Sequence, residues 1–331
     1  MRQILVLRAL GLGDLLTAVP ALRALRRGHP GSTITLAAPA ALAPLIPLTR
    51  AVDRLHPVAD MDQLGRLDRP PDLAVNLHGS GPQSIAAVLR TGASRVITHR
   101  HPAFPDLAGP TWDPALHEVE RWCRLVASVG LTADATDLRL TAPPGSPAVA
   151  DAVVLHPGAS APSRRWPVDR FVAVARSLSE RGLTVVATGT GGESALCAEL
   201  VERAGLPPRH DLSGHLDLAQ LAALVAAARL VLCGDTGVAH LASAYGTPSV
   251  LLFGPTPPHL WGPPAAGPHT VLWSGAAGDP HGETLDPGLA AVDVDQVLAA
   301  VERRLRAPRR GFDPSSRDKD PADTRTTRGP T

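Results

Sequence analysis

The sequence is poor in lysine and in aromatic residues. Lys319 is the single lysine among 32 cationic side chains, and aromatic residues make up 3% of the chain. Positive and negative charges nearly balance, with a formal net charge of +1. Nucleic-acid-binding domains usually have basic clusters interleaved with aromatic side chains, and no stretch of this sequence shows that pattern. We therefore expect no nucleic-acid partner.

Cysteine is scarce as well. Cys123, Cys197 and Cys233 are far apart in the sequence, and they form neither a CxxC pair nor a Cys–His group at ligand spacing. This spacing argues against a disulfide framework and against a zinc site. We predict that all three are reduced residues of the hydrophobic core.

Long hydrophobic runs are also missing. No run reaches the ~18 apolar residues that a membrane-spanning helix needs, and the apolar run within residues 1–7 is too short for a signal peptide. We therefore expect a cytoplasmic protein.

The sequence does contain enough apolar residues for two folded domains. It has 331 residues, of which 44% are hydrophobic, and domains usually contain about 100–200 residues. Short apolar runs such as 4–7 and 33–37 alternate with helical patterns, which predicts βαβ units and a parallel sheet. The same alternation starts again at 153–155, after the Pro-rich segment 141–151. The predicted fold class is therefore α/β, with two Rossmann-like parallel-sheet domains.

The linker and the composition set the predicted domain boundaries. We place an N-terminal domain at 1–145 and a C-terminal domain at 150–290. A helical stripe of apolar residues follows at 291–306, with Asp293 as its predicted N-cap. Charged residues, Pro, Ser and Thr dominate 307–331, so we predict that this tail is disordered.

Loops that follow the strands are the predicted location of the site. Open parallel sheets bind ligands at the carboxyl ends of their strands, and two such sheets would face each other across a cleft. In the N-terminal half, these loops are 8–14 and 76–81, which contain Arg8, Gly11, Gly13 and His78 on the acceptor side. In the C-terminal half, they are 156–165, 189–193 and 234–240.

Asp14 is a candidate general base. It follows Gly11-Leu12-Gly13, which is not a dinucleotide fingerprint because position 16 is Leu. One interpretation is a carboxylate that interacts with the dipole of the following helix, which would keep it ionised and weakly basic. The other is a carboxylate that faces the cleft and removes a proton from a substrate.

The stretch from 230 to 256 predicts an anion site. An apolar run leads through Gly234-Asp235-Thr236-Gly237 into a helix, and a strand-to-helix turn offers free backbone N–H groups to a phosphate. Asp235-Thr236-Gly237 also spells the triplet of aspartic proteases, but those enzymes need two such carboxylates. We predict that Thr236 and Gly237 bind a diphosphate and that Asp235 either orients the loop or meets a sugar hydroxyl. His240 is either a further donor or a core histidine.

Two other loops of the C-terminal half are candidates for donor binding. Arg164 and Arg165 form a cationic pair, and guanidinium groups match phosphate oxygens, although the pair could also be solvated. The segment from Gly189 to Glu193 is not a Walker loop, and it either lies close to a nucleotide or only forms a turn. Asp60-x-Asp62 is the one DxD that could hold a metal in the N-terminal half, and we interpret it as surface.

Several motifs together resemble glycosyltransferase family 9, the ADP-heptose:lipopolysaccharide heptosyltransferase-like enzymes. They are RALGLGD, LLTAVPALRAL, VLHPGAS, RRWP and GDTGVAHLASAYGTPSVLLFGPT, within residues 1–305. The resemblance implies a GT-B fold whose C-terminal helix, 291–306, packs back towards the N-terminal domain. It also implies inverting, metal-independent transfer from an ADP-sugar, with no cofactor.

The resemblance also assigns roles to residues. Asp14 matches the family's catalytic carboxylate, and the region of Ser160 and Arg164 matches residues near the donor's diphosphate, with Arg165 as the alternative cation. The donor block corresponds to Asp235, Thr236, Gly237 and His240. The acidic residue that some members have near 218–221 is replaced by Ala219 and Gln220, and 269–287 receives no role.

The predicted function is therefore that of a glycosyltransferase. It would move a sugar, heptose in the family's best-known members, from a nucleotide-sugar donor to a hydroxyl of a glycan or glycolipid acceptor. A lipid-linked acceptor would bring the protein into peripheral contact with a membrane, and no oligomer is predicted. The alternatives are a nucleotide-sugar epimerase or hydrolase of the same fold, and a non-catalytic nucleotide-sugar-binding protein.

Overall fold

A computed structural model describes residues 1–65, 67 and 69–307 of the chain. Two five-stranded parallel sheets form its framework, one in each half. The predicted linker, 141–151, lies between the last strand of the first sheet and the first strand of the second. The predicted disordered tail lies outside the described residues, apart from Ala307.

The N-terminal half contains the sheet with strand order β3-β2-β1-β4-β5. Its central strand has a continuous apolar sequence because both faces of a parallel sheet are covered. The strands are β1 (Gln3–Leu7), β2 (Thr33–Ala38), β3 (Arg54–Pro57), β4 (Leu73–Asn76) and β5 (Val96–Ile97). The helices are α1 (Leu12–Gly28), α2 (Pro82–Arg90) and α3 (Glu118–Ala127).

The C-terminal half contains the second sheet, with strand order β10-β9-β8-β6-β7. The strands are β6 (Val153–His156), β7 (Val185–Ala187), β8 (Leu230–Gly234), β9 (Ser249–Leu252) and β10 (His269–Leu272). The longer helices are α4 (Val168–Glu180), α5 (Ser194–Arg203), α6 (Leu218–Ala227), α7 (Gly237–Tyr245) and α10 (Val294–Arg306). Two single-turn helices are α8 (Pro258–Trp261) and α9 (Pro287–Ala290).

Helix α10 packs on the C-terminal half of the chain. Its buried residues, Val297, Ala300 and Val301, belong to the core of the C-terminal half, and the helix packs on α4, β9 and β10. Arg304 strengthens this attachment by donating to Thr270 Oγ1 at 2.6 Å and to the His269 carbonyl at 2.8 Å. The helix therefore covers the second sheet, and its packing towards the N-terminal half, which the resemblance implied, stays a prediction.

The two halves meet through α1 and α7. Helix α1 packs on α3 within its own half and on α7 across the boundary. Residues of both helices belong to one buried cluster, which includes Leu16, Val19, Val238 and Leu241. Packing of the halves therefore fixes the first turns of α1 and α7 beside each other. In the part of the chain that the structure describes, no helix is both long and apolar enough to cross a lipid bilayer.

Candidate functional site

The site lies where the strand order of both sheets reverses. In the first sheet, β1 lies between β2 and β4, and in the second, β6 and β8 are neighbours whose connections run to opposite sides. Strands β1 and β4 end together at Leu7 and Asn76, and β6 and β8 pair His156 with Cys233. Crevices of this kind bind ligands in open α/β sheets, which agrees with the predicted location.

Two glycines allow the loops of the two halves to touch. A Cβ atom on Gly13 would lie 2.9 Å from His240 Cδ2, and a Cβ atom on Gly237 would lie 2.8 Å from Leu12 Cβ. Real Cβ atoms do not approach other carbon atoms so closely. Glycine at both positions is therefore explained by the contact between the halves. Gly11 is less restricted, since a Cβ atom there would be 3.8 Å from Asp14 Oδ2.

Arg8 holds Asp14 in place. The Arg8 side chain is 1% exposed, and its Nη2 atom lies 3.2 Å from Asp14 Oδ1 and 3.3 Å from Thr17 Oγ1. Its Nε atom donates to the Asp14 carbonyl at 2.8 Å, and Nη1 donates to the Leu77 carbonyl. The buried guanidinium therefore positions Asp14. That Arg8 and its loop lie on the acceptor side stays a prediction.

The Asp14 carboxyl remains accessible, with its side chain 27% exposed. Burial raises its pKa above the usual value of 3.8, Arg8 opposes that shift, and the Glu118 carboxylate adds to it. His240 and the Gly11 backbone N–H act in the lowering direction. The net shift is upward, so Asp14 is a better proton acceptor than the interpretation based on the helix dipole alone predicted.

His240 lies half-buried on the first turn of α7. Its ring contacts the Trp261 ring edge-on, with 6.0 Å between centroids. Burial lowers its pKa to about 4, against the favourable charge of Asp14. The imidazole is therefore neutral near pH 7, and it can donate or accept a hydrogen bond without adding positive charge to the site.

Arg164 reaches the loop that follows β8. Its Nη2 atom lies 3.5 Å from Asp235 Oδ2 and donates to the Asp235 carbonyl, and its Nη1 atom lies 3.5 Å from Ser160 Oγ. Asp235 is buried, which raises the pKa of its carboxyl, while Arg164 and then Thr256 oppose the shift. Arg165 is exposed and donates to the Ala159 carbonyl at 2.9 Å. The structure thus brings Arg164, and not Arg165, to Asp235.

Glu193 lies beside the loop that follows β6. Its Oε2 atom accepts from the Thr190 backbone N–H at 2.7 Å and from Thr190 Oγ1 at 2.9 Å, closing a capping box. A Cβ atom on Gly158 would lie 1.9 Å from Glu193 Oε1, so glycine is needed there. Gly189 packs tightly on α5, since its Cβ would be 2.9 Å from Cys197 Sγ. These contacts give both predicted residues a structural role.

His78 follows the end of β4 and is half-buried. Its backbone N–H donates to Asn76 Oδ1 at 3.1 Å, and burial followed by the nearby Arg8 charge lowers the pKa of its ring. His78 is therefore neutral near pH 7 and lies on the N-terminal side of the site. Asn76 fixes this loop by donating to the Gly79 carbonyl at 3.0 Å.

Sequence reasoning missed Glu118. This buried carboxylate lies at the start of α3, where its Oε1 atom accepts from Arg8 Nη2 at 2.9 Å and from Trp122 Nε1 at 2.7 Å. Its other oxygen pairs with Arg121. Glu118, Trp122 and Leu125 share one helical face, and a carboxylate within an apolar face requires a cationic partner. A carboxylate within this apolar helical face was the sequence feature that could have identified Glu118.

A cavity of about 610 Å³ adjoins the site between the two halves. Apolar residues form most of its wall, and His117, His240 and His259 contribute rings to it. His117 also links the halves, because its Nε2 atom donates to the Gly262 carbonyl at 3.0 Å. Within residues 1–65, 67 and 69–307, no group of three or more His, Cys, Asp or Glu side chains is arranged to hold a metal ion.

Comparison with known proteins agrees with this architecture. A sequence profile described as glycosyltransferase family 9 (heptosyltransferase) matches residues 108–283. Lipopolysaccharide heptosyltransferase 3 of Escherichia coli is 31% identical over 159 residues, which are 46% of this chain and 46% of that protein. Lipopolysaccharide heptosyltransferase 1 of Pseudomonas aeruginosa is 27% identical over 304 residues, or 78% of this chain and 81% of that protein. The match thus spans less than half of the first relative and most of the second.

The fold is shared with a solved structure. Escherichia coli ADP-heptose lps heptosyltransferase II superposes with a TM-score of 0.75 at 23% sequence identity, covering 92% of this chain and 98% of that one. The two parallel-sheet domains of this chain therefore adopt the GT-B fold, as predicted.

Proposed function

Since the chain belongs to glycosyltransferase family 9, we propose that it transfers heptose from an ADP-sugar to an acceptor hydroxyl. We further propose that the transfer inverts the anomeric centre and needs no metal ion. The observation that supports this best is the position of Asp14. A partly exposed carboxylate with a raised pKa lies at the reversal of the first sheet, directly opposite the first turn of α7.

The C-terminal half would bind the donor. The first turn of α7 presents backbone N–H groups that the helix itself leaves unpaired, and Arg164 lies beside them at Asp235. Together they would bind the diphosphate and stabilise the charge that develops on the leaving ADP. Fixed N–H groups and one guanidinium would thus assist the departure of the diphosphate.

The N-terminal half would activate the acceptor. Asp14 accepts the proton of the acceptor hydroxyl while that oxygen forms a bond to the anomeric carbon. The bond between the anomeric carbon and the diphosphate oxygen breaks, and ADP leaves with the electron pair. Attack from the face opposite the leaving group inverts the configuration. Asp14 then releases the proton to solvent.

The acceptor is proposed from the relatives. The two curated relatives are named lipopolysaccharide heptosyltransferases, so we propose a hydroxyl of a glycan or glycolipid as the acceptor. A lipid-linked acceptor would place the protein in peripheral contact with a membrane. The donor is proposed in the same way, from the ADP-heptose enzyme that shares the fold.

The test uses the purified full chain with ADP-heptose and a truncated lipopolysaccharide core as acceptor. We expect formation of ADP and of an inverted glycosidic linkage, measured by NMR of the product, at the same rate with and without EDTA. Asp14→Asn should abolish transfer and still bind ADP, whereas the exposed Asp62→Asn serves as the control. Full activity of Asp14→Asn, or release of free heptose without an acceptor, would contradict the proposal.

A further inference from the structure

A single buried guanidinium joins two carboxylates at the site. Arg8 Nη2 lies 3.2 Å from Asp14 Oδ1 and 2.9 Å from Glu118 Oε1. We propose that Glu118 is a positioning residue, which holds Arg8 and thereby keeps Asp14 correctly placed and sufficiently basic to take the acceptor proton. This inference rests on the proposed function of Asp14, but its structural part can be tested without turnover.

The geometry leaves Arg8 little freedom. Its guanidinium carbon lies 4.7 Å from the centroid of the Trp122 ring, and its side chain is 1% exposed. The Leu77 and Asp14 carbonyls accept from the other guanidinium nitrogens. Glu118 is in turn held by Trp122 Nε1 at 2.7 Å. Contacts from the residue after β4, from α1 and from α3 therefore converge on one cation, and Glu118 provides the link to α3.

The opposite charges of four side chains, namely Arg8, Asp14, Glu118 and Arg121, compensate one another. Arg8 faces Asp14 and Glu118, and Glu118 also pairs with Arg121, so two carboxylates lie among two guanidiniums. Arg121 has further support, since it donates to the Leu116 carbonyl at 2.8 Å and lies 4.3 Å from the centroid of the Trp112 ring. Loss of the Glu118 charge would leave Arg8 to act on Asp14 alone.

This compensation matters for Asp14. The groups that face it are Arg8 from the end of β1, Glu118 from α3, His240 from α7 and the Gly11 backbone N–H. Arg8 lowers the pKa of Asp14, and Glu118 raises it. Without the Glu118 charge, the pKa of Asp14 should fall, because the uncompensated guanidinium favours its ionised form. A less basic carboxylate is a weaker general base.

The test compares the wild-type full chain with Glu118→Gln, which keeps an oxygen for Arg8 and for Trp122 but removes the charge. The first readout is a ¹³C NMR titration of the Asp14 carboxyl in the ligand-free protein, with its signal assigned by its absence in Asp14→Asn. We expect a lower Asp14 pKa in Glu118→Gln and an unchanged value in Glu120→Gln, an exposed neighbour on the same helix. An unchanged Asp14 pKa in Glu118→Gln would overturn the proposal, whether or not the chain is a transferase.

The second readout is the pH dependence of kcat with ADP-heptose and acceptor. Glu118→Gln should lower kcat about tenfold, leave the KM for ADP-heptose unchanged and move the acid limb to lower pH. Glu118→Asp retains the charge, so it should recover part of kcat and shift the acid limb of the pH profile part of the way back. It replaces Glu118→Gln as the test variant if Glu118→Gln folds poorly. A fall in kcat with an unmoved acid limb in both variants would show that Glu118 only attaches α3 to the sheet, and would overturn the proposal.

Discussion

Arg8 and Asp14 form an ion pair in which the cation is buried and the carboxylate is open to the cleft, at 3.2 Å between Nη2 and Oδ1. The arginine directly follows β1 and the aspartate lies in the first turn of α1. The carboxylate is therefore fixed relative to the sheet through its partner as well as through its own backbone. Pre-organisation of this kind reduces the reorganisation needed when a proton is transferred.

The first prediction concerns the stability that Arg8 contributes. Arg8→Met should destabilise the protein by about 1.5–3 kcal/mol, because buried Glu118 loses one charge-assisted hydrogen bond and keeps Arg121 as its remaining cation. Arg181→Met is the matched control, since it breaks an exposed ion pair with Glu302 and should cost about 1 kcal/mol or less. Urea unfolding at neutral pH measures both. Equal losses in the two variants would contradict this account of the buried pair.

The second prediction concerns stability and pH at Asp14. A carboxyl whose pKa is raised in the folded state stabilises the fold below its unfolded pKa, and that contribution is lost as pH rises through the folded pKa. Asp14→Asn does not ionise, so it should gain stability over the wild type as pH increases from below 3.8 to 7. Thermal unfolding across this range checks the trend. A difference between the two proteins that stays constant with pH would show that the Asp14 pKa is unshifted.

The third prediction distinguishes the roles of Arg164 and Arg165, the two arginines of the RRWP motif. Arg164→Gln should weaken ADP binding about 10-fold or more, because a charge-assisted hydrogen bond contributes about 1.5–3 kcal/mol. Arg165→Gln should change the Kd little, since Arg165 is exposed and bonded to the Ala159 carbonyl. Calorimetric titration with ADP measures both. The reverse ranking would place the diphosphate away from Asp235.

A thermal-shift series with the same variants tests the nucleotide. ADP present at about 100 times its Kd should stabilise the wild type by about 2.7 kcal/mol, and the same concentration should stabilise Arg164→Gln much less. UDP and GDP serve as comparison ligands. Stabilisation by UDP or GDP but not by ADP would remove the assignment of an ADP-sugar donor.

The fourth prediction concerns Gly13. Gly13→Ala places a methyl group 2.9 Å from His240 Cδ2, so the His240 ring or one of the loops must move. We expect kcat/KM to fall on the order of 10²-fold, because misplacement by about 1 Å has effects of that size. Gly31→Ala, where an added Cβ has no atom within 4 Å, is the matched control. Steady-state kinetics decide, and normal activity of Gly13→Ala would mean that this contact is absent during turnover.

Local sequence patterns predicted the framework of the site well. The run ending in Gly234-Asp235 forms β8, the following segment forms α7, and Gly246 ends that helix with a φ of 63°. The predicted N-cap Asp293 is also present, as part of a capping box with Gln296, and Asp217 forms a second capping box with Gln220. These features depend on residues within a few positions of each other, which periodicity and capping rules describe.

Features that depend on distant residues were harder to predict. Glu118 lies 110 positions from Arg8, and no local pattern connects an N-terminal loop with the start of α3. The direction of the Arg8 side chain depends on how β1, β4 and α3 pack, so its burial could not be inferred from its place in a loop. For α10, the apolar stripe was predicted correctly, but the stripe does not specify which sheet it covers.

The close approach of Gly13 to His240 couples a loop of one half to a helix of the other. A Cβ atom at position 13 would lie 2.9 Å from His240 Cδ2, so any larger side chain there would force the ring or one of the loops to move. The residue at position 13 and the orientation of the His240 ring are therefore linked, although they lie in different halves of the chain.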